Sequence, residues 1–169
     1  ARYEERLAAY QSVDFDDPEA FASDLEAWHG GRDVIVLLGR GPARAATELG
    51  APVLKESGVM AESLESGLFR HGPFELAGPN MSAIVMATEP ETRRLDLGLA
   101  ADLVDAGSAV MVVTPDGEAP KGARPVATGY LDRALMSAVG VIPTQLLAWR
   151  LAGARGRTPG AYTRASKVT

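Results

Sequence analysis

Three side chains and one turn carry chemistry beyond what solubility requires. Glu56 closes a helix-prone stretch just before Gly58, in Leu54-Lys55-Glu56. His71 is one of two histidines and stands in Gly67-Leu68-Phe69-Arg70-His71-Gly72-Pro73-Phe74-Glu75, where Gly-Pro stops regular structure. Lys167 lies in the terminal Ala165-Ser166-Lys167-Val168-Thr169. Gly39-Arg40-Gly41-Pro42 follows directly on an apolar run. A carboxylate with a raised pKa can take and return a proton near neutrality. An imidazole titrates in the same range. A lysine amine can hold a carbonyl oxygen or form a Schiff base. A glycine turn at a helix N-terminus points free N–H groups outward, toward an anion.

Each of these residues also has an ordinary reading. Leu49 and Val53 put Glu56 on the same stripe at i+7, where burial and the negative end of the helix dipole would raise its pKa. A surface glutamate in a fraying last turn fits equally well, and periodicity leaves both open. Glycines at a strand-to-helix turn often serve geometry alone. Arg44 stands where GxGxxG needs its third glycine, and no P-loop is present. A lone loop histidine is usually solvated, and a terminal lysine is usually a mobile charge. His29, beside Gly30 and Gly31, reads as a helix-ending residue.

Several elements must position these groups. Asp17-Pro18 opens a helix expected to run to about Trp28, and a further helix is expected over Ala1 to Val13. Asp33 to Leu38, Ala83 to Ala87 and Ala109 to Val113 are short runs of β-formers without alternation, as strands buried on both faces require. Pro125 to Thr128 is a weaker fourth strand. A helix over about Glu91 to Ala106 separates two of the strands. A long helical tract follows from about Asp132 to Ala152, with Leu135, Val139, Ile142, Leu146 and Trp149 at helical spacing and Pro143 as a kink or restart. Alternating strand and helix predict a layered α/β fold with a parallel sheet. The expected organisation is a helical segment over 1–30 packed on a domain over 31–169.

The chain has 169 residues, 46% hydrophobic and 23% charged, with a net charge of −5. That is the composition of one globular domain. No basic stripe supports nucleic-acid binding. No apolar run approaches the length of a membrane span. Without cysteine, and with two distant histidines, neither disulfides nor a metal site is expected. A reducing cytoplasm is consistent with this usage, and no cofactor is called for. A start at Ala1 rather than methionine is expected of a processed chain or a piece of a longer one.

Taken together, LGRG at 38–41, LKE at 54–56, AESLESGLFRHGPFEL at 61–76 and IPTQLLAWRLAGARGRTPGAYTRASKVT at 142–169 resemble the SIS (sugar isomerase) domains. The likeness is greatest to the second SIS half of double-SIS enzymes. These include the isomerase part of glucosamine-6-phosphate synthase and the fructosamine-6-phosphate deglycases.

The resemblance implies a three-layer αβα sandwich around a five-stranded parallel, flavodoxin-like sheet. It implies a sugar-phosphate ligand of the fructose-6-phosphate or fructosamine-phosphate class. It also implies a homodimer or higher homo-oligomer with shared active sites. Glu56 matches a glutamate that shuttles a proton between C1 and C2 through an enediol or enolamine. His71 matches a histidine that assists ring opening in a neighbouring subunit. Lys167 matches a tail lysine at the substrate carbonyl. Gly39, Arg40, Gly41 and Glu62 are carried over as substrate-binding or supporting positions. The implied activity is isomerisation, amine transfer or deglycation in partnership with a first SIS half. The alternative is a non-catalytic sugar-phosphate sensor or assembly module.

The chain departs from the pattern at Val53, where the synthase has a second lysine, and in a shorter spacing from Glu56 to Glu62. It also departs at Thr88-Glu89-Pro90-Glu91-Thr92, where first halves carry a Ser/Thr phosphate loop. Two acids there oppose phosphate, so the main phosphate site is expected in another SIS half.

Overall fold

A computed structural model describes residues 17–161. The helix expected over Ala1 to Val13 and the tail with Lys167 lie outside the described residues. Helix α1, Pro18–His29, starts where the Asp17 carboxylate accepts from the Ala20 N–H at 2.9 Å. It ends at Gly30, whose left-handed φ of 59° lets its N–H return to the Glu26 carbonyl. Strand β1, Val34–Gly39, leads through a 3-10 turn into helix α2, Arg44–Glu56. Strand β2, Met60–Glu65, runs into the single turn α3, Ser66–Phe69. Then come β3, Met81–Met86; α4, Arg93–Asp105; β4, Ala109–Thr114; and β5, Arg124–Ala127. Two further helices, α5 (Arg133–Gly140) and α6 (Ile142–Ala154), meet at Val141. Pro143 lies in the first turn of α6, where its missing N–H costs nothing.

The sheet is wholly parallel with strand order β2-β1-β3-β4-β5. The two sides of β1 show why its sequence does not alternate. Ile35 and Leu37 join one core with α1, α2 and α6, through Leu25, Leu54, Leu147 and Leu151. Val36 and Leu38 join the other with α4, through Leu99 and Leu103. Sheet and helices thus form the three-layer α/β sandwich.

Sequence reasoning missed β2. Met-Ala-Glu-Ser-Leu-Glu is polar because this is an edge strand, with Met60 and Glu62 exposed and Ala61 buried. The tract Arg133–Ala154 is long and apolar enough to cross a bilayer by length and composition, against the expectation of no such run. Half of its apolar window is buried within the fold, which accounts for that hydropathy.

Two internal features have measurable consequences. Gly50 lets α2 settle between the sheet and α6, since a Cβ there would stand 2.7 Å from Leu37 Cδ2 and 2.9 Å from Thr144 Cγ2. Both neighbours are fully buried. Gly50→Ala is therefore expected to lower stability by about 1–3 kcal/mol in urea unfolding. His29 is fully buried and shares a 3.0 Å hydrogen bond between Nδ1 and Ser82 Oγ. Burial, then the charges of Arg155 and Arg32, lower its pKa.

The native imidazole is thus neutral, while the unfolded one takes a proton near pH 6.5. The His29 contribution is complete above about pH 6.5 and is lost as pH falls toward its folded pKa. Urea unfolding should show a slope from this residue of at most about 1.4 kcal/mol per pH unit below pH 6.5, absent in His29→Gln.

Candidate functional site

Glu56 is the last residue of α2 and opens into a cleft of about 480 Å³. The end of the helix is tightly made. The Ser57 hydroxyl donates to the Leu54 carbonyl at 2.7 Å, and the Val59 N–H also returns to Leu54 at 3.2 Å. Gly58 takes φ 85°, open to glycine, and lets the chain turn into β2. Across the cleft α6 presents Gln145, Ala148, Trp149 and Ala152. The segment from Arg157 to Ala161 closes one side. Arg157 Nη1 donates to the Glu56 carbonyl at 3.4 Å. Its guanidinium lies so close over Gly58 that a Cβ there would stand 2.8 Å from Cζ.

Of the two readings of Glu56 that periodicity leaves open, the surface one holds. Its side chain is exposed, as is Leu49 on the same stripe, and Val53 is half-buried. The stripe that α2 turns to the core is Ala46, Thr47, Gly50, Ala51 and Leu54. Small residues occupy it because the helix lies close between β1 and α6. Glu62 is also exposed, on β2, and pairs with Lys55 at 3.3 Å rather than lining the cleft.

Gly39, Arg40 and Gly41 lie at the other end of α2. Between Arg44 and Glu56 the helix rises by about 18 Å, so these residues and Glu56 do not share a site. Gly41 has φ 51°, and a Cβ on Gly39 would press to 3.3 Å on the Ala43 backbone. Arg40 does not face solvent freely. Its Nε donates to Asp96 Oδ1 at 3.1 Å and its Nη1 to Glu65 Oε1 at 3.2 Å. Asp96 is fully buried and also accepts from Thr92 Oγ1 at 3.2 Å. The Ser66 hydroxyl lies beside Asp96 without completing a well-aligned bond. Burial raises the Asp96 pKa against the pull of Ser66, Arg40 and Thr92.

This crevice sits between β1 and β3, where the strand order reverses and open α/β sheets commonly bind ligands. Here the protein's own charges fill it. In the loop after β3, Glu89 is buried and holds Arg133 Nε at 3.0 Å, while Glu91 takes the same guanidinium at 2.6 Å. Burial raises the Glu89 pKa, with Arg133 opposing. Arg93 pairs with Asp116 and Glu118. Each of these three arginines therefore already has carboxylate partners.

His71 is exposed at the tip of the turn that follows α3, apart from both the cleft residues and Glu62 in the contacts it makes. Its N–H donates to the Leu68 carbonyl at 3.0 Å, and Gly72 follows with φ 117°. Among the described residues no three His, Asp or Glu side chains gather as metal ligands.

Gln145, Trp149, Arg157 and Asp96 were not singled out from the sequence. Trp149 was read only as part of the apolar face of α6. Gln145 sits at i−4 from it, and that spacing was the available signal. Asp96 falls on the buried stripe with Leu99, Ala100 and Leu103, an acid at an apolar position.

No family model matches the chain. It is 31% identical over 136 residues to isomerizing glutamine–fructose-6-phosphate aminotransferase of Thermus thermophilus, across 78% of this chain and 22% of that protein. The chain thus spans about a fifth of the length of that relative. Among solved structures, it overlays the C-terminal domain of glucosamine-fructose-6-phosphate aminotransferase from Francisella tularensis with a TM-score of 0.77. That match has 21% identity and covers 94% of this chain and 46% of the other. The tagatose-6-phosphate ketose/aldose isomerase of Escherichia coli gives a TM-score of 0.66 at 22% identity, over 88% of this chain and 44% of the other. Sequence likeness and a five-stranded parallel sheet flanked by helices agree: the chain belongs to the SIS (sugar isomerase) domain family.

Proposed function

We propose that this chain is the proton-transfer half of a two-SIS sugar-phosphate enzyme of the isomerase, aminotransferase or deglycase type. The observation that carries the reading is Glu56 at the mouth of a mixed polar and apolar cleft. The cleft has the size and lining of a small-molecule site. Trp149 offers an aromatic wall and Gln145 an amide that can both donate and accept. Such a lining suits a polyhydroxylated chain whose carbons lie against a ring and whose hydroxyls need partners.

In the proposed step the Glu56 carboxylate removes the proton from the carbon next to the carbonyl of the open-chain sugar. The C–H electron pair forms the enediol double bond, the carbonyl oxygen takes up a proton from solvent, and the neighbouring hydroxyl later gives one back to solvent as it becomes the new carbonyl. Glu56 then returns its proton to the neighbouring carbon, so that aldose and ketose interconvert without gain or loss of atoms. Lys167 is assigned to the carbonyl oxygen, and Glu62, through Lys55, to support of the cleft wall. His71 is assigned to ring opening, in the site of a second copy of the chain. Gly39 and Gly41 are assigned to the turn that holds Arg40. The phosphate is assigned to another SIS half, because Arg40, Arg93 and Arg133 are all paired with carboxylates here.

The test is incorporation of solvent deuterium into fructose-6-phosphate by the full-length protein. Glu56→Gln is expected to slow incorporation by roughly 10²–10⁴-fold with the fold intact by circular dichroism. An unchanged rate would remove Glu56 from the mechanism. Trp149→Ala is expected to raise KM by about three- to tenfold, with kcat within about twofold and Trp149→Phe near wild type. Equal effects of Ala and Phe would show that the ring is not a substrate wall.

A further inference from the structure

The resemblance carries Arg40 over as a substrate-binding position, and the structure pairs it with two carboxylates. We infer that Arg40 is a positioning residue that clamps the base of the turn carrying His71. The inference rests on the reading of His71 as a ring-opening group.

The clamp can be followed atom by atom. Glu65, the last residue of β2, uses one carboxylate oxygen to cap α3, accepting from the Leu68 N–H at 2.8 Å. Its other oxygen takes the Arg40 guanidinium at 3.2 Å. Arg40 in turn donates to Asp96 at 3.1 Å, in the first turn of α4 and fully buried. A buried carboxylate thus fixes the guanidinium, and the guanidinium fixes the cap. Burial would raise the Glu65 pKa, yet the amides of Gly67 and Leu68 and the charge of Arg40 outweigh it, and the pKa is lowered. The cap is therefore held as a carboxylate.

Gly67 shows how closely the turn sits on this pair. A Cβ there would stand 2.8 Å from Glu65 Oε2 and 2.9 Å from Arg40 Nη1. Beyond the clamp, Phe69 is fully buried with its ring edge-on to Phe74 at 6.0 Å, and Arg70 pairs with Asp102 at 2.7 Å. These contacts leave the next residue, His71, exposed at the tip, where its backbone sets where the imidazole can go.

A direct role for Arg40 in holding substrate phosphate would require it to abandon Asp96. That would leave the buried Asp96 with the Thr92 hydroxyl but without a cation beside it. Anchoring costs nothing of the kind, because both carboxylates keep their partner throughout catalysis.

The experiment compares wild type, Arg40→Gln, Gly67→Ala and His71→Asn in the full-length protein. Backbone hydrogen exchange and deuterium incorporation into fructose-6-phosphate are both measured. Arg40→Gln should speed exchange over residues 65–76 by about tenfold or more, while 81–86 and 109–114 keep their protection. Its kcat should fall by about 10–100-fold with KM within about threefold, and it should add little in the His71→Asn background. Gly67→Ala, which leaves every charge in place, should loosen the same segment and covers the case in which Arg40→Gln does not fold. Unchanged exchange over 65–76 in these variants would overturn the clamp. So would a raised KM with unchanged kcat in Arg40→Gln, which marks direct substrate binding. Full turnover in His71→Asn would end the catalytic purpose of the clamp. If wild type incorporates no deuterium, the proton-transfer reading fails, and exchange, which needs no substrate, still judges whether Arg40 holds the turn.

Discussion

The constraint behind the whole structure is a central strand with no free face. β1 is covered by α1, α2 and α6 on one side and by α4 on the other. A strand in that position contributes apolar side chains along its length and leaves chemistry to its ends. The helices inherit the same rule. α2 turns small residues to the sheet and α6, and its polar candidates stand at its two tips: Arg40 just before one, Glu56 at the other. The helix is a strut that keeps the Arg40 turn and the Glu56 cleft about 18 Å apart.

The crevice end shows how charge is managed when a site is not left open. Asp96 and Glu89 are both buried, and each is met by an arginine. Arg40 and Asp96 are both largely withdrawn from water, and charges so placed recover the loss only when the pair is well made. The Arg40–Asp96 pair therefore resists being opened by an incoming anion, whereas Arg133 stands half exposed over Glu89. The cleft at Glu56 differs, with exposed polar groups and an aromatic face. Within one domain, one end of the sheet is occupied by the protein's own charge pairs and the other carries a cleft.

Much of the layered fold was readable from the chain. The runs at β1, β3 and β4 lack alternation because both faces are buried, and their composition says so. β2 was not readable, because an edge strand with Glu62 and Ser63 outside the core has neither the period nor the composition of its neighbours. The position of Glu56 along α2 was legible, but its exposure was not. Leu49 and Val53 look like a core stripe until the tertiary fold selects Ala46, Gly50 and Leu54 instead. Arg40 was legible as a residue in a special turn. Its partners lie 25 and 56 positions away, and no local pattern announces contacts of that range.

The packing of α1 on α6 bears on how the chain is made. Glu26 and Arg150 meet at 2.6 Å across 124 positions of sequence, and Leu25 of α1 shares a core with Leu147 and Leu151 of α6. A ribosome delivers the first of these helices long before the second. Until α6 emerges, Leu25 lacks the cover that Leu147 and Leu151 supply. Completion of this core thus waits on α6.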